Sequence, residues 1–153
     1  MKSMHKILLV AALSACGTVI VAGIAAANKA FYTKDAMNIT VNNKTLTAKF
    51  ADNSSAVAFK KLLEEKGSIT IAMHDYGNFE KVGDLGTTLV RSDTRITTEP
   101  GDIILYMGNQ ITIYYDVNSY TFTRLGKIQN VTKAELKSIL GSGNVSVTFS
   151  LRK

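Results

Sequence analysis

The chain has 153 residues, 46% of them hydrophobic, with a formal net charge of +6, one cysteine and no tryptophan. A single Cys excludes a disulfide framework, and with His74 the only histidine after the leader the usual zinc ligand sets are excluded as well. The charge is scattered: Lys60-Lys61 is followed by Glu64-Glu65, and no basic run is interleaved with stacking aromatics, so a mildly basic surface is implied and a nucleic-acid groove is not.

Lys2 and Lys6 precede an uncharged apolar run from Ile7 to Ala27 that ends in small residues, the charge asymmetry and core length of an export signal. Three outcomes follow, ranked in this order. Leu13-Ser14-Ala15-Cys16 matches the bacterial lipoprotein box, in which the Cys16 thiol is acylated and becomes the new N-terminus. Ala25-Ala26-Ala27 offers an ordinary A-x-A cleavage site with Asn28 as the first mature residue. Uncleaved, the run is long enough to span a bilayer, for which about 20 apolar residues suffice. The expected location is therefore the cell envelope, membrane-anchored through a lipid or the leader, or else secreted or periplasmic. Beyond the leader the net charge falls to +4, and about 125 residues remain, which is one domain by size.

Residues 28–36 read as a polar and aromatic tether, with the domain running from 37 to 151. Met37 to Val41 alternates apolar and polar, Asn42-Asn43 is a turn pair, and Leu46 to Phe50 alternates again, a hairpin signature. The period then changes: Asp52-Asn53-Ser54 supplies capping oxygens, Ala56, Phe59, Leu62 and Leu63 recur at helical spacing, and Gly67 stops a helix of three turns. Ile69 to Met73 returns to period two. His74 to Gly86 is rich in turn residues, with a short strand around Phe79 to Val82. Pro100-Gly101-Asp102 introduces a second hairpin, Ile103 to Met107 and Gln110 to Tyr115 around Gly108-Asn109, and a further strand runs from Tyr120 to Ile128. Thr132-Lys133-Ala134-Glu135 is a capping box, Val131 is placed to staple onto Leu136, and Gly141 closes this second helix. Val145 to Leu151 is a final alternating strand. Many short antiparallel strands with two isolated helices predict a mainly β fold, a closed or nearly closed barrel with helices over its ends, with a sandwich as the alternative.

The order and wording of these segments resemble the small bacterial cyclophilin-like domains over Met37 to Leu151. The resemblance rests on Phe50-Ala51-Asp52-Asn53 before the first helix, Asp75-Tyr76-Gly77-Asn78-Phe79-Glu80-Lys81 with Gly83-Asp84-Leu85, Pro100 to Tyr106, Tyr114-Tyr115, Arg124 to Ile128, and Gly141-Ser142-Gly143 before the last strand. It implies an eight-stranded cyclophilin-type barrel capped by two helices. Authentic cyclophilins accelerate rotation about the X-Pro bond, against an amide barrier of about 18 to 20 kcal/mol, with an arginine near the amide nitrogen beside an apolar proline pocket. Their Phe-His-Arg stretch and the Phe-Met-x-Gln-Gly-Gly that follows it are absent here, and Arg91, Arg95, Arg124 and Arg152 stand in no matching motif. The expectation is a non-catalytic module for a peptide or small ligand, with a divergent peptidyl-prolyl isomerase as the alternative.

No catalytic residue, metal ligand or cofactor is assigned. His74-Asp75 are adjacent on a strand and so point to opposite faces, which argues against an acid–base pair. Asp75, Glu80, Asp84 and Asp102 lack calcium-loop spacing and read as turn caps. Tyr106, Tyr114, Tyr115, Tyr120 and Phe122 cluster around the second hairpin and either pack across strands or line a groove. Tyr106, Tyr114 and Arg124 are the candidate ligand-binding residues, and Cys16 is the candidate lipid-attachment site.

Overall fold

The computed structural model describes residues 32–153, with side chains from Asp35 onward; the leader, Cys16 and residues 28–31 lie outside the described residues. Nine strands and two helices follow one another: β1 (Tyr32–Val41), β2 (Lys44–Ala51), α1 (Ser54–Lys66), β3 (Ser68–Tyr76), β4 (Glu80–Asp84), β5 (Thr94–Thr97), β6 (Asp102–Tyr106), β7 (Gln110–Tyr114), β8 (Ser119–Ile128), α2 (Lys133–Leu140) and β9 (Val145–Leu151). Eight of the strands form an antiparallel ring in the order β2-β1-β9-β3-β4-β7-β6-β8, and β8 returns to β2 to close it. The closing seam sets Ala48 opposite Ile128 and Phe50 opposite Gly126. Closure removes the free edges a sandwich would leave.

Alternation along the strands fills the barrel. Ile39 and Val41 of β1, Ile103 and Leu105 of β6, Ile111 and Ile113 of β7, and Val147 and Phe149 of β9 all belong to one buried cluster. The helices sit at opposite ends. Asn53 caps α1, accepting from the Ala56 N–H at 2.9 Å, and the helix drives Phe59 inward until its ring lies 5.8 Å from that of Phe149. Burying such a ring contributes on the order of 2 to 3 kcal/mol. At the other end the capping box of Thr132 and Glu135 starts α2, which buries Leu136 and Leu140, while Asn42 Nδ2 in the β1–β2 turn donates to the Ile139 carbonyl at 3.3 Å.

Three boundaries depart from the sequence expectation. β1 begins at Tyr32, so the second half of the stretch read as a tether is strand, with Ala36 opposite Lys49. β3 runs on through His74 to Tyr76, because the turn is confined to Gly77-Asn78, where both residues have positive φ, while Gly83 lies within β4 and Gly86 follows it. β5 lacked any strong alternation; it lies outside the ring and pairs only with the first part of β8, Thr94 opposite Phe122 and Thr97 opposite Ser119.

Candidate functional site

The barrel fills its interior with one apolar cluster and carries a second hydrophobic cluster on the outside. Ile104, Tyr114 and Phe122 point outward from β6, β7 and β8, and β5 folds over them with Ile96. The arrangement follows from period two: on β7, Ile111 and Ile113 turn in while Gln110, Thr112 and Tyr114 turn out. Above this cluster opens a groove of about 320 Å³.

Six aromatic side chains line it, and they form a connected chain. The Phe79 ring lies parallel to Tyr114 at 5.9 Å, with Tyr76 edge-on to Phe79 at 6.1 Å. Tyr114 meets Phe122 at 5.7 Å, and Tyr106 and Tyr120 stand against Phe122 at 6.2 and 5.4 Å. Local geometry sets these positions. A Cβ on Gly77 would fall 2.5 Å from Phe79 Cζ, so glycine makes room for the ring to fold back over the hairpin, and its φ of +59° suits the turn. Phe79 is then pinned by its carbonyl, which accepts from the Tyr115 and Asp116 N–H groups at 2.9 and 3.1 Å. The Tyr106–Gln110 hairpin turns through Met107 and Gly108, again both at positive φ, and sets Tyr106 at the groove's rim.

Glu80 supplies the charge in this apolar setting. It lies directly opposite Tyr114 across β4 and β7 and is 7% exposed. Among the described residues its Oε2 is buried without a hydrogen-bond partner, as is the Oγ1 of Thr112. Burial pushes the Glu80 carboxyl above the usual carboxylate range, and the neighbouring hydroxyls of Tyr114 and Thr112 offset only part of that. Burial and the nearby Glu80 also push the Tyr114 phenol up, so it remains a neutral donor at any physiological pH. Gln110 and Asn118 add amide groups at the edges.

Tyr106 and Tyr114 are thus brought together, and Arg124 is not with them. Its Nη2 lies 3.1 Å from Asp102 Oδ2, and it faces a separate hollow of about 500 Å³ with Asn53, Ser92 and Arg95. Tyr115 also leaves the expected aromatic group. One residue past Tyr114, it turns the opposite way and donates its hydroxyl to Asp75 Oδ1 at 3.1 Å. Asp84 and Asp102 cap turns, accepting from the Gly86 and Glu99 N–H groups at 2.8 and 2.9 Å. Among the described residues no three His, Cys, Asp or Glu side chains converge to hold a metal ion. Sequence reasoning missed Phe79, Glu80, Gln110 and Asn118; pairing Glu80 with Tyr114 through their shared outward phase was the available signal.

The sequence profile described as the cyclophilin-like family matches residues 39–150, which is β1 through β9. The chain belongs to the cyclophilin-like family. No curated protein matches it. Its cyclophilin-like barrel carries the aromatic groove on the outer surface of β4, β7, β6 and β8, and the lining of that groove contains no arginine.

Proposed function

We propose that this protein is a non-catalytic binding domain that takes a small ligand, or a side chain of a peptide, in the aromatic groove. The observation that carries this reading is the outward-facing cluster itself: Tyr76 and Tyr120 are 60% and 53% exposed above buried Tyr114 and Phe122, and apolar surface held open above a rigid floor is what a ligand site requires. The groove is framed by hairpins of a closed barrel, so ligand meets a pre-formed surface and loses little to ordering.

The arginines support binding over isomerase chemistry. A guanidinium beside the groove would be needed to act on an X-Pro amide nitrogen. Arg124 is engaged with Asp102, Arg91 is paired with Asp93, and Arg95 lines the other hollow. The leader supports display outside the cytoplasmic membrane, held there by an acylated Cys16.

A panel of short peptides and small solutes, titrated into the purified protein and followed by NMR, tests the reading. Saturable shifts confined to the resonances of Phe79, Tyr106, Tyr114 and Asn118 are expected, together with a flat rate in a proline-isomerisation assay. Rate acceleration abolished by Arg91→Ala, Arg95→Ala or Arg124→Ala would establish the isomerase instead. Intact mass of membrane-extracted protein reports the leader: a diacylated Cys16 terminus is expected, against a bare Asn28 terminus or an uncut chain.

A further inference from the structure

The charge of the groove is one-sided. Six aromatic side chains and one carboxyl line it, and among the described residues no Lys, Arg or His is in the lining. Aromatic faces carry the negative end of the ring quadrupole and attract a cation most strongly where water is excluded. Among the described residues Glu80, at the groove floor, has no cationic partner, although Asp75, Asp93, Glu99, Asp102 and Asp116 each have one. An ionised carboxylate that is buried and unpaired is costly, and a chain of this length has ample lysine with which to neutralise it. The partner is missing inside the protein where a guest would supply it.

We propose that the groove recognises an alkylammonium group, a positively charged nitrogen bearing methyl or methylene substituents, with its carbon surface against the rings and the carboxyl of Glu80, which lines the groove, as counter-ion. This rests on the binding reading given above and narrows it to one chemical class. A neutral ligand would satisfy the rings and leave the buried carboxyl unanswered. An anion would face both Glu80 and the ring quadrupoles. The volume, about 320 Å³, suits a head group of a few heavy atoms. The rim amides of Gln110 and Asn118 give a hydroxyl or carbonyl on the same guest a place to bond. The same chemistry is presented by a free quaternary amine and by a lysine side chain in a peptide.

The test compares choline with 3,3-dimethylbutan-1-ol, which has the same shape with carbon in place of the charged nitrogen, and with N-acetyl-lysine amide. Each is titrated into the wild-type protein, Glu80→Gln and Tyr120→Leu, with the Asn118 side-chain amide and tyrosine ring resonances as the readout. The cations are expected to bind at least about ten-fold more tightly than the neutral alcohol. Glu80→Gln is expected to lower cation affinity by about ten-fold or more and to leave the alcohol within about two-fold. Tyr120→Leu, which keeps apolar bulk and removes an exposed ring, is expected to weaken the cations more than the alcohol. Choline binding better than the lysine amide identifies a free solute as the source, and the reverse order identifies a peptide; either outcome supports the proposal. Equal affinity for choline and the alcohol overturns the cation inference and leaves the binding reading intact. Absence of any shift with both cations also overturns it, and the binding reading is then decided by the wider peptide and solute panel.

Discussion

Lys81 Nζ lies 2.7 Å from Asp75 Oδ1, and none of the lysine side chain is exposed. The two residues are direct cross-strand partners on β3 and β4. Lys81 turns toward the end of the barrel and also donates to the Gly143 carbonyl at 2.6 Å, while Asp75 Oδ2 accepts from the Gly143 N–H at 2.6 Å. The pair therefore ties the loop between α2 and β9 to the hairpin that carries Phe79 and Glu80. Tyr115 completes the cluster; burial and the nearby Asp75 push its phenol up to about 12, so it stays a donor.

The two partners are unequal, and their substitutions should differ. Asp75→Asn leaves an ammonium in a site closed to water, so a cost of about 3 kcal/mol is expected by urea denaturation at pH 7. Lys81→Met leaves Asp75 partly exposed and still holding the Tyr115 hydroxyl and the Gly143 N–H, so the expected cost is smaller, about 1 kcal/mol. The Lys81 hydrogen bond, with Gly143 and Tyr115, holds the Asp75 carboxyl below its ordinary value of 3.8. Its contribution is present above that value and is lost as pH falls through the lowered folded value. The deficit of Asp75→Asn should accordingly shrink below about pH 4.

Glu80 behaves in the opposite sense. Its carboxyl is raised in the folded state by burial, so its ionised form opposes folding: stability from this site is greatest below the ordinary value of 4.5 and is lost as pH climbs through the raised folded value. Glu80→Gln should stabilise the protein by about 1 kcal/mol at pH 7, with the gain vanishing near pH 4, where folded and unfolded chains both carry the proton. Thermal denaturation of both proteins at the two pH values checks this. A group that destabilises the fold and is nonetheless kept at the floor of a groove is what a functional residue looks like.

The barrel was legible in the sequence because its inner face imposes period two on almost every strand, and because the helix signals at Asn53, Gly67, Thr132 and Gly141 are local. The segments that carry the resemblance to cyclophilin-like domains include Gly77, Gly101, Gly141 and Gly143, all at positive φ, where the backbone demands are strict. What was not legible depends on the second layer. β5 has few inward positions because it covers only one outer cluster, so Thr94 to Thr97 carries little pattern. The groove joins β4 to β7 and β8 across long sequence separations; Tyr106 and Tyr114 fall within one hairpin and were visible, whereas Glu80 becomes their neighbour only through strand pairing. Arg124 stood among the candidate ligand-binding residues because nothing local marks its ion-pair partner, Asp102, which lies on a different strand.

Gly126 sits on the seam where β8 meets β2, and a Cβ there would strike the Lys49 carbonyl oxygen and lie 3.0 Å from Met37 Cε. The methionine end can move, but the Lys49 carbonyl is backbone and cannot. Gly126→Ala should cost about 3 kcal/mol and loosen closure. Hydrogen exchange would show faster amide exchange at Ala48, Phe50 and Ile128 than in β6 and β7. Uniform acceleration over the whole barrel, or none, would contradict a seam-localised effect.

Arg124 provides the last discrimination between architecture and ligand contact. Asp102 is 1% exposed and is shared between the Arg124 guanidinium, the Glu99 N–H and Lys127 Nζ, the last at 3.4 Å from Oδ1. Asp102→Ala would strand the Arg124 guanidinium and leave Lys127 to Glu99 alone, at 3.0 Å, and should cost about 3 kcal/mol. Arg124→Ala leaves the carboxylate with the Lys127 ammonium and the Glu99 N–H, so about 2 kcal/mol is expected. The guanidinium lies outside the groove, so ligand affinity there should stay within about two-fold of wild type at a temperature where both proteins are folded. Urea denaturation and a groove titration on the same sample separate the two quantities. Unchanged stability with affinity lowered about ten-fold would make Arg124 a ligand contact after all, and would require the bound molecule to extend past β8 toward Asn53.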